Sequence, residues 1–328
     1  MTSAVNSPDP TVAKISLPTP FPVGPVNVFL IKSETPTLID AGVKSEEGWQ
    51  KLVHSLAEHS LTPRDIKVVL LTHGHLDHVG LVPRLIQESG AQTYAHPDVV
   101  AQYAAYDHEI EIGQQFFHDV LLQFGAPARA VDEVMQFRSV FNVLGDTFKI
   151  DHALADGETA GGLEAHYVPG HSASDTLFYC PSRRAAFTGD HVLKGISPNP
   201  LLRRASRDSM TRARSLVEYQ RSLRFTRSLD IDTCYPGHGS PFGEHRAVID
   251  GLLERHERRT RDVRRLLAEK PMTPYEIVMR IFPRITSHSL HFALSVAIGH
   301  LDVLDERGEA RMENVNGVVV YRLAGERT

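Results

Sequence analysis

The chain has 328 residues, above the roughly 250 to 300 that one hydrophobic core usually serves, so one sizeable globular domain plus a smaller one is expected. Hydrophobic residues at 41% and charged residues at 23% are ordinary for a soluble protein. The formal net charge of −5 offers no global attraction to nucleic acid or to an anionic membrane, and no apolar run approaches the roughly 18 residues that a bilayer span needs.

The stretch from Met1 to Pro10 has neither a basic start nor an apolar core, so it is not read as a signal peptide, and a cytoplasmic location is expected. Residues 12 to 41 alternate strand-like runs with turn residues, notably Val26-Asn27-Val28-Phe29-Leu30-Ile31 and Thr37-Leu38-Ile39-Asp40. An Asp40-Ala41-Gly42 turn leads into an amphipathic helix near 45 to 59. The apolar run Val68-Val69-Leu70-Leu71 reads as a strand and is followed by the loop Thr72-His73-Gly74-His75-Leu76-Asp77-His78. A helix near 79 to 89 and a short strand at Gln92-Thr93-Tyr94-Ala95 come next. Such an order suggests two mixed sheets sandwiched between helices.

Residues 97 to 140 break the alternation. Gln102-Tyr103, Phe116-Phe117, Val120-Leu121-Leu122 and Val134-Met135 recur at helical spacing, and Gly125-Ala126-Pro127 interrupts them, so a helical insertion is predicted. Asp156-Gly157-Glu158 reads as a turn between strands. The two cysteines, Cys180 and Cys234, lie in strand-like segments outside any C-x-x-C pattern and are expected to be buried core thiols.

A second boundary falls after Gly243, dividing a domain over 1–245 from a linker helix and small domain over 246–328. Residues 246 to 269 form a long helix in which Arg255, Arg258, Arg259, Arg261, Arg264 and Arg265 are interleaved with Glu254, Glu257 and Asp262. That mixture favours a solvated face over a nucleic-acid stripe. Thr273-Pro274-Tyr275-Glu276 has the cap and the proline of a helix start, and a further helix is expected over Ser289 to Asp305. Asn316-Gly317 between the runs 309–313 and 318–323 signals a two-residue hairpin. Helix, helix and hairpin resemble a small winged-helix module. Its arginines leave RNA contact open, with packing or homodimer contact the more economical reading.

The loop after the 68–71 strand carries the chemistry. Its H-x-H-x-D-H pattern puts three imidazoles and a carboxylate within six residues at the rim of a sheet. Neutral imidazole nitrogens with carboxylate oxygens are the donor set that suits zinc and similar divalent ions. His73, His75, Asp77 and His78 resemble the first ligand motif of the metallo-β-lactamase-fold hydrolases. Downstream, Val168-Pro169-Gly170-His171 resembles that family's third-histidine loop, Thr188-Gly189-Asp190 its bridging aspartate, and Tyr235-Pro236-Gly237-His238-Gly239 its last histidine. The match covers roughly residues 12 to 245.

The resemblance implies an α/β fold, an αββα sandwich of two mixed sheets, with the C-terminal helical, winged-helix-like domain appended. It also implies two divalent metal ions, zinc by default, with manganese, iron or cobalt fitting the same donors. His73, His75 and His171 would hold the first, Asp77, His78 and His238 the second, and Asp190 would bridge them. A hydroxide between the ions would then cleave an ester, thioester or lactone bond of a small, partly apolar substrate, with Asp77 doubling as a base. No Gly-x-Ser-x-Gly nucleophile elbow is present. Relatives often carry a helical insertion that shapes the substrate pocket, and this one is rich in Phe, Leu and Tyr. A phosphodiesterase or ribonuclease could use the same donors, and a non-catalytic metal-binding module is the third reading.

Other residues refine the expectation. A carboxylate at Asp190 argues against β-lactam hydrolysis of the cysteine-ligand type, and histidine at His75 argues against a di-iron oxygen reductase. Ser174-Asp175 stands where many thioesterase relatives have Gly-His, which puts glutathione-thioester specificity in doubt. Asp175 is either a partner of a ligand histidine or a turn cap, and both remain open. His191 is read as a buried, structurally bonded histidine ahead of an outer proton donor. His96, His108, His118 and His166 have no ligand spacing.

Overall fold

The computed structural model describes residues 11–325. The N-terminal stretch judged above for a leader sequence therefore lies outside the described residues. The chain divides into two compact units. The first takes the chain up to Asp107 together with Val143–Pro198 and Ser222–Ile249. The second takes His108–Asn142, Asn199–Arg221 and the chain from Asp250 onward.

The first sheet is built from β1 (Val12–Leu17), β2 (Val26–Ile31), β3 (Thr37–Ile39), β4 (Val68–Leu70), β5 (Gln92–Ala95) and β6 (His152–Ala153), side by side in chain order. β1, β2 and β3 pair antiparallel, and β3 to β6 pair parallel. The second sheet runs β11 (Thr233–Pro236), β10 (Ala185–Gly189), β9 (Thr176–Cys180), β8 (Leu163–Tyr167) and β7 (Thr159–Ala160), antiparallel except for the β10–β11 pair. Both sheets are mixed, as expected.

A shared apolar core joins Phe29, Ile39 and Leu70 of the first sheet to Phe178, Phe187 and Tyr235 of the second. Phe187 stacks on Tyr235 at 4.8 Å, and Phe29 meets both rings edge-on. The two sheets are also hydrogen-bonded near one end. Asn27 Nδ2 donates to the carbonyls of Pro236 and Gly239 at 2.9 and 2.8 Å, and Thr176 N donates to Thr72 O at 2.7 Å.

The helices follow local rules. In α1 (Glu46–Ala57) Ser45 caps the start by accepting from Gly48 N, and Trp49, Leu52 and Leu56 form the buried stripe. The single helix expected near 79 to 89 is two pieces, α2 (Leu76–Val79) and α3 (Val82–Ser89), the second ending at Gly90 in the left-handed region. The insertion folds as α4 (Pro97–Ala104), α5 (Tyr106–Gln123) and α6 (Ala128–Ser139). A helix that sequence reading did not anticipate, α7 (Ser215–Ser228), precedes β11. Cys234 is buried as expected, but Cys180, at the end of β9 beside the surface turn at Ser182, is only half-buried and packs against the margin of the core.

α8 (His245–Leu267), α9 (Pro274–Ile281), α10 (Ser287–Glu306) and the hairpin of β12 (Ala310–Val315) and β13 (Val318–Leu323) complete the chain. Thr273 and Glu276 close a reciprocal capping box on α9. Asn316 and Gly317 both take positive φ, as the two-residue turn requires. No described helix is long and apolar enough to cross a membrane.

The second unit has its own core. Phe116, Leu121 and Val134 of the insertion pack with Leu202 and with Leu267, Ile277, Leu294, Leu301 and Tyr321. The irregular segment between Asn199 and Arg214 is held there by arginines. Arg204 and Arg207 share the Glu109 carboxylate, Arg203 pairs with Glu218, and Arg214 with Asp305. Arg212 grips both oxygens of the buried Asp302 and also donates to Tyr321 Oη at 2.9 Å. Removing it leaves Asp302 buried and unpaired, so Arg212→Ala should cost about 3 to 5 kcal/mol in urea unfolding, with Asp302→Asn partly restoring the loss. A cost below about 1 kcal/mol would show that the pair does not matter to the core.

The same unit buries neutral histidines. Burial pushes His256 down to about 4 and His300 down to about 3, with neighbouring positive groups adding to the effect. His300 Nδ1 lies 2.8 Å from Thr260 Oγ1. Unfolded, each binds a proton near its ordinary value of 6.5, so the unfolded state holds more protons and stability falls as the pH drops from 6.5 toward 4. His300→Gln removes one such group. Its stability deficit against the parent should shrink between about pH 7 and pH 4.5, and a deficit independent of pH would show that His300 is not the acid-sensitive group.

Candidate metal centre

The strand ends converge on one edge of the sandwich. Asp40 follows β3, the His73–His78 loop follows β4, His171 follows β8, Asp190 follows β10 and His238 follows β11. A side chain leaving the end of a strand is held by the sheet behind it yet projects beyond the ladder. All seven residues anticipated as ligands lie in the first unit, and the structure brings them together.

Three overlapping groups have donor atoms close enough to share an ion: His73, His75 and His171; His73, His78 and Asp190; and Asp77, His78 and His238. His75 Nδ1 lies 3.0 Å from both His73 Nε2 and His171 Nε2. Asp190 Oδ1 is 3.5 Å from His78 Nε2, and its Oδ2 is 3.7 Å from His171 Nε2 and 3.5 Å from His238 Nε2. Asp77 Oδ2 lies 3.4 Å from His238 Nε2.

The far side of each ring decides which nitrogen faces the cluster. His78 Nδ1 donates to Asp40 Oδ2 at 2.7 Å, so Nε2 is the nitrogen that points inward. His73 Nδ1 lies 3.0 Å from Thr72 Oγ1, which itself donates to Asp40 Oδ2 at 2.8 Å. The Thr72 proton is thus committed to Asp40, and His73 Nδ1 must be the donor in its pair. His238 Nδ1 donates to the Pro25 carbonyl at 2.8 Å. His73, His78 and His238 therefore all turn Nε2 toward the cluster.

The charges of the cluster depend strongly on burial and on one another. Burial, with the charges of His78 and His75 behind it, pushes His73 well below its ordinary range. Burial and His171 take His75 down to about 3. Burial opposes charge on His78, but Asp40, Asp190 and Asp77 outweigh it and raise that imidazole well above its ordinary range. For Asp190 burial is likewise outweighed, by His78, His238 and His171, and the carboxyl is held well down.

His78 Nε2, His238 Nε2 and Asp190 Oδ1 are buried without a hydrogen-bond partner. Buried lone pairs facing one another are costly unless a cation sits among them. The donor set fits divalent ions.

Backbone room is part of the site. A Cβ on Gly237 would lie 2.4 Å from Asp190 Oδ1 and 2.7 Å from the His78 ring, so only glycine lets the His238 loop approach. Gly189, at φ +48°, is packed as closely against Thr72.

Sequence reading missed Asp40, which it took for a turn residue, along with Thr72 and Tyr103, whose Oη donates to the Gly74 carbonyl at 2.9 Å. For Asp40 a signal existed: a carboxylate directly after a buried strand, two residues before a glycine. Asp175 accepts from Ser172 N and Ser172 Oγ and so holds the turn after His171. His191 is buried with Nε2 at 2.8 Å from Thr226 Oγ1, and His96 caps α4.

The Metallo-beta-lactamase superfamily model matches residues 21–238, and a model described as Metallo-beta-lactamase-like, C-terminal domain, matches 260–324. A Bacillus subtilis (strain 168) protein named Probable metallo-hydrolase YqjP is 35% identical over 94% of this chain and 97% of its own length. An atrochrysone carboxyl ACP thioesterase of Aspergillus fumigatus is 30% identical over 69% of this chain, which spans about half, 54%, of that relative. Among solved structures, a metallo-beta-lactamase family protein of Thermus thermophilus superposes with a TM-score of 0.79 at 25% identity, covering 97% of this chain and 100% of that one. A beta-lactamase domain protein of Burkholderia ambifaria gives 0.80 at 26%, covering 97% and 94%. The chain belongs to the metallo-beta-lactamase superfamily, and by fold and donor set it is a metallo-hydrolase.

Asp40→Asn keeps the shape but puts an amide N–H₂ where an acceptor is needed. Metal affinity measured by chelator competition should fall about 10- to 100-fold, and an unchanged affinity would remove Asp40 from the orienting role.

Proposed function

We propose that this chain is a dinuclear metal-dependent hydrolase that cleaves an ester, thioester or lactone bond of a small, partly apolar substrate. The observation that carries the dinuclear reading is the Asp190 carboxylate, within 3.7 Å of histidines from both halves of the cluster. In this reading His73, His75 and His171 would hold one cation, Asp77, His78 and His238 would hold the other, and Asp190 would serve both. Zinc is the proposed occupant, and manganese, iron and cobalt suit the same donors. When bound, such ions supply Lewis-acid polarisation of a carbonyl oxygen and a lowered pKa for nearby water.

The chain's own contribution is preorganisation. The rings are already turned to present the nitrogens they need, and because neighbouring carboxylates raise His78 and His238, a cation that binds there displaces their inward protons. Asp77 is the proposed proton acceptor. Its carboxylate takes the proton from water as the water oxygen bonds to the carbonyl carbon, and returns it to the alkoxide or thiolate when the C–O or C–S bond breaks. Burial opposes ionisation of Asp77, but His78 and His238 keep its carboxyl below the ordinary range, ready to accept.

Two findings support a carbonyl substrate over a phosphodiester. The Aspergillus fumigatus relative is named as a thioesterase. The arginines near the C-terminus are largely engaged: Arg258 with Glu254, Arg264 with Glu309, Arg265 with Asp262, and Arg307 with Glu257. Paired charges of this kind give little attraction to a polyanion.

The test is a rate comparison on zinc-loaded protein with an aryl ester, an acyl thioester, a homoserine-type lactone, an aryl phosphodiester and single-stranded RNA, with Asp190→Ala as the blank. Turnover of carbonyl substrates, falling at least about 100-fold in the variant, is expected. Preference for the phosphodiester or RNA would replace the proposal with a phosphodiesterase or nuclease.

A further inference from the structure

In the second unit Arg138, near the end of α6, is a charge without a partner. Its Nε is buried with no acceptor, and no carboxylate among the described residues pairs with its guanidinium. The group lies flat over the Phe117 ring, 3.7 Å from its centre. Every other arginine named above as a clamp in this unit finds a carboxylate, which makes Arg138 the exception.

A second group beside it lacks a partner as well. His291 on α10 is 7% exposed, and its Nδ1 is buried with nothing to bond. Its ring packs 3.8 Å from Phe292 and 6.5 Å from Phe137. Burial, with the Arg138 charge added, pushes His291 down to about 3, so it stays neutral and one of its ring nitrogens carries a proton to donate. Burial alone takes Arg138 down to about 10, a value at which it remains a cation.

A guanidinium whose Nε is buried without an acceptor, and a buried imidazole whose Nδ1 has none, are costly alone and less so once an anion joins them. The guanidinium fork matches a carboxylate in two-point geometry. Phe117, Phe137 and Phe292 supply apolar faces around it, and Phe292, 44% exposed, leaves a way in from solvent. We propose that Arg138 and His291 form a binding site for a small organic carboxylate with an aromatic or acyl body. The site is independent of the hydrolase reading, since it uses none of the residues of the metal centre.

The test is isothermal titration of the metal-loaded, full-length protein with benzoate, with benzamide as the neutral analogue and with sodium phosphate as an anion lacking an apolar body. Benzoate should bind at least tenfold more tightly than either. Arg138→Gln should abolish that preference, and Arg138→Lys, which keeps the charge but loses the planar fork, should weaken it about tenfold. Thermal melts and circular dichroism establish that each variant is folded. If Arg138→Gln fails to fold, Arg138→Lys carries the test. Benzoate affinity unchanged by the substitutions would mean that the carboxylate binds elsewhere, including at the metal ions, and would overturn the assignment. Equal binding of benzamide would overturn the role of charge, and equal binding of phosphate the role of the aromatic walls.

Discussion

Asp40 adopts φ +61°, a left-handed conformation that costs an L-residue about 1 to 2 kcal/mol, and its carboxylate is almost wholly out of water. Neither feature would persist without compensation. Oδ1 accepts from Thr72 N, Oδ2 accepts from Thr72 Oγ1 and His78 Nδ1, and the Asp40 amide donates to Leu70 O. One residue thus ties the end of β3 to the end of β4 and sets the inward nitrogen of two histidines, His78 directly and His73 through Thr72. The remaining geometry of the centre depends on this. If the rings were free to flip, the near-neighbour distances among His73, His75 and His171 would carry no chemical meaning.

The second constraint is proximity between the sheets. The His238 loop must approach Asp190 and His78 to within a distance that a single extra methyl group would forbid, and Gly237 meets that demand. Asn27 pulls the same loop from the other sheet by bonding the carbonyls of Pro236 and Gly239, while Pro25 O orients His238. The site is therefore assembled across both sheets. Its donors are distant in sequence, but each sits at the end of a strand whose register is set by a buried apolar face.

These facts explain what was legible beforehand. The H-x-H-x-D-H loop and the glycine-marked loops ending in His171, Asp190 and His238 could be read because strand, turn and donor are adjacent in sequence. α1, α9 and the Asn316-Gly317 hairpin were equally visible, because caps and turns are local. Asp40 was not, since its role exists only through Thr72 and His78, partners more than thirty residues away. α7 was hidden by its arginines: Arg221 pairs with Glu306, a residue of the distant α10, so its polar surface reveals nothing about the helix alone. Cys180 lies on a strand that reads as apolar yet ends at a surface turn.

The second unit carries the same lesson further. Its core is drawn from three separate stretches of chain, with Phe116, Val120 and Leu121 from the insertion, Leu202 from the arginine-held segment, and Leu267, Leu294 and Leu301 from the C-terminal helices. None of these stretches buries its apolar face alone. A chain cut after α8 would leave Phe116 and Leu121 facing water, so the insertion and the C-terminal helices stand or fall together. Arg212 reinforces this, because it belongs to the middle stretch while both of its partners, Asp302 and Tyr321, belong to the last. The insertion is thus better understood as one wall of a folded unit than as a detachable flap. An apolar helix there is explained first by that core, and only the groups the core leaves unpaired, such as Arg138 and His291, call for a ligand.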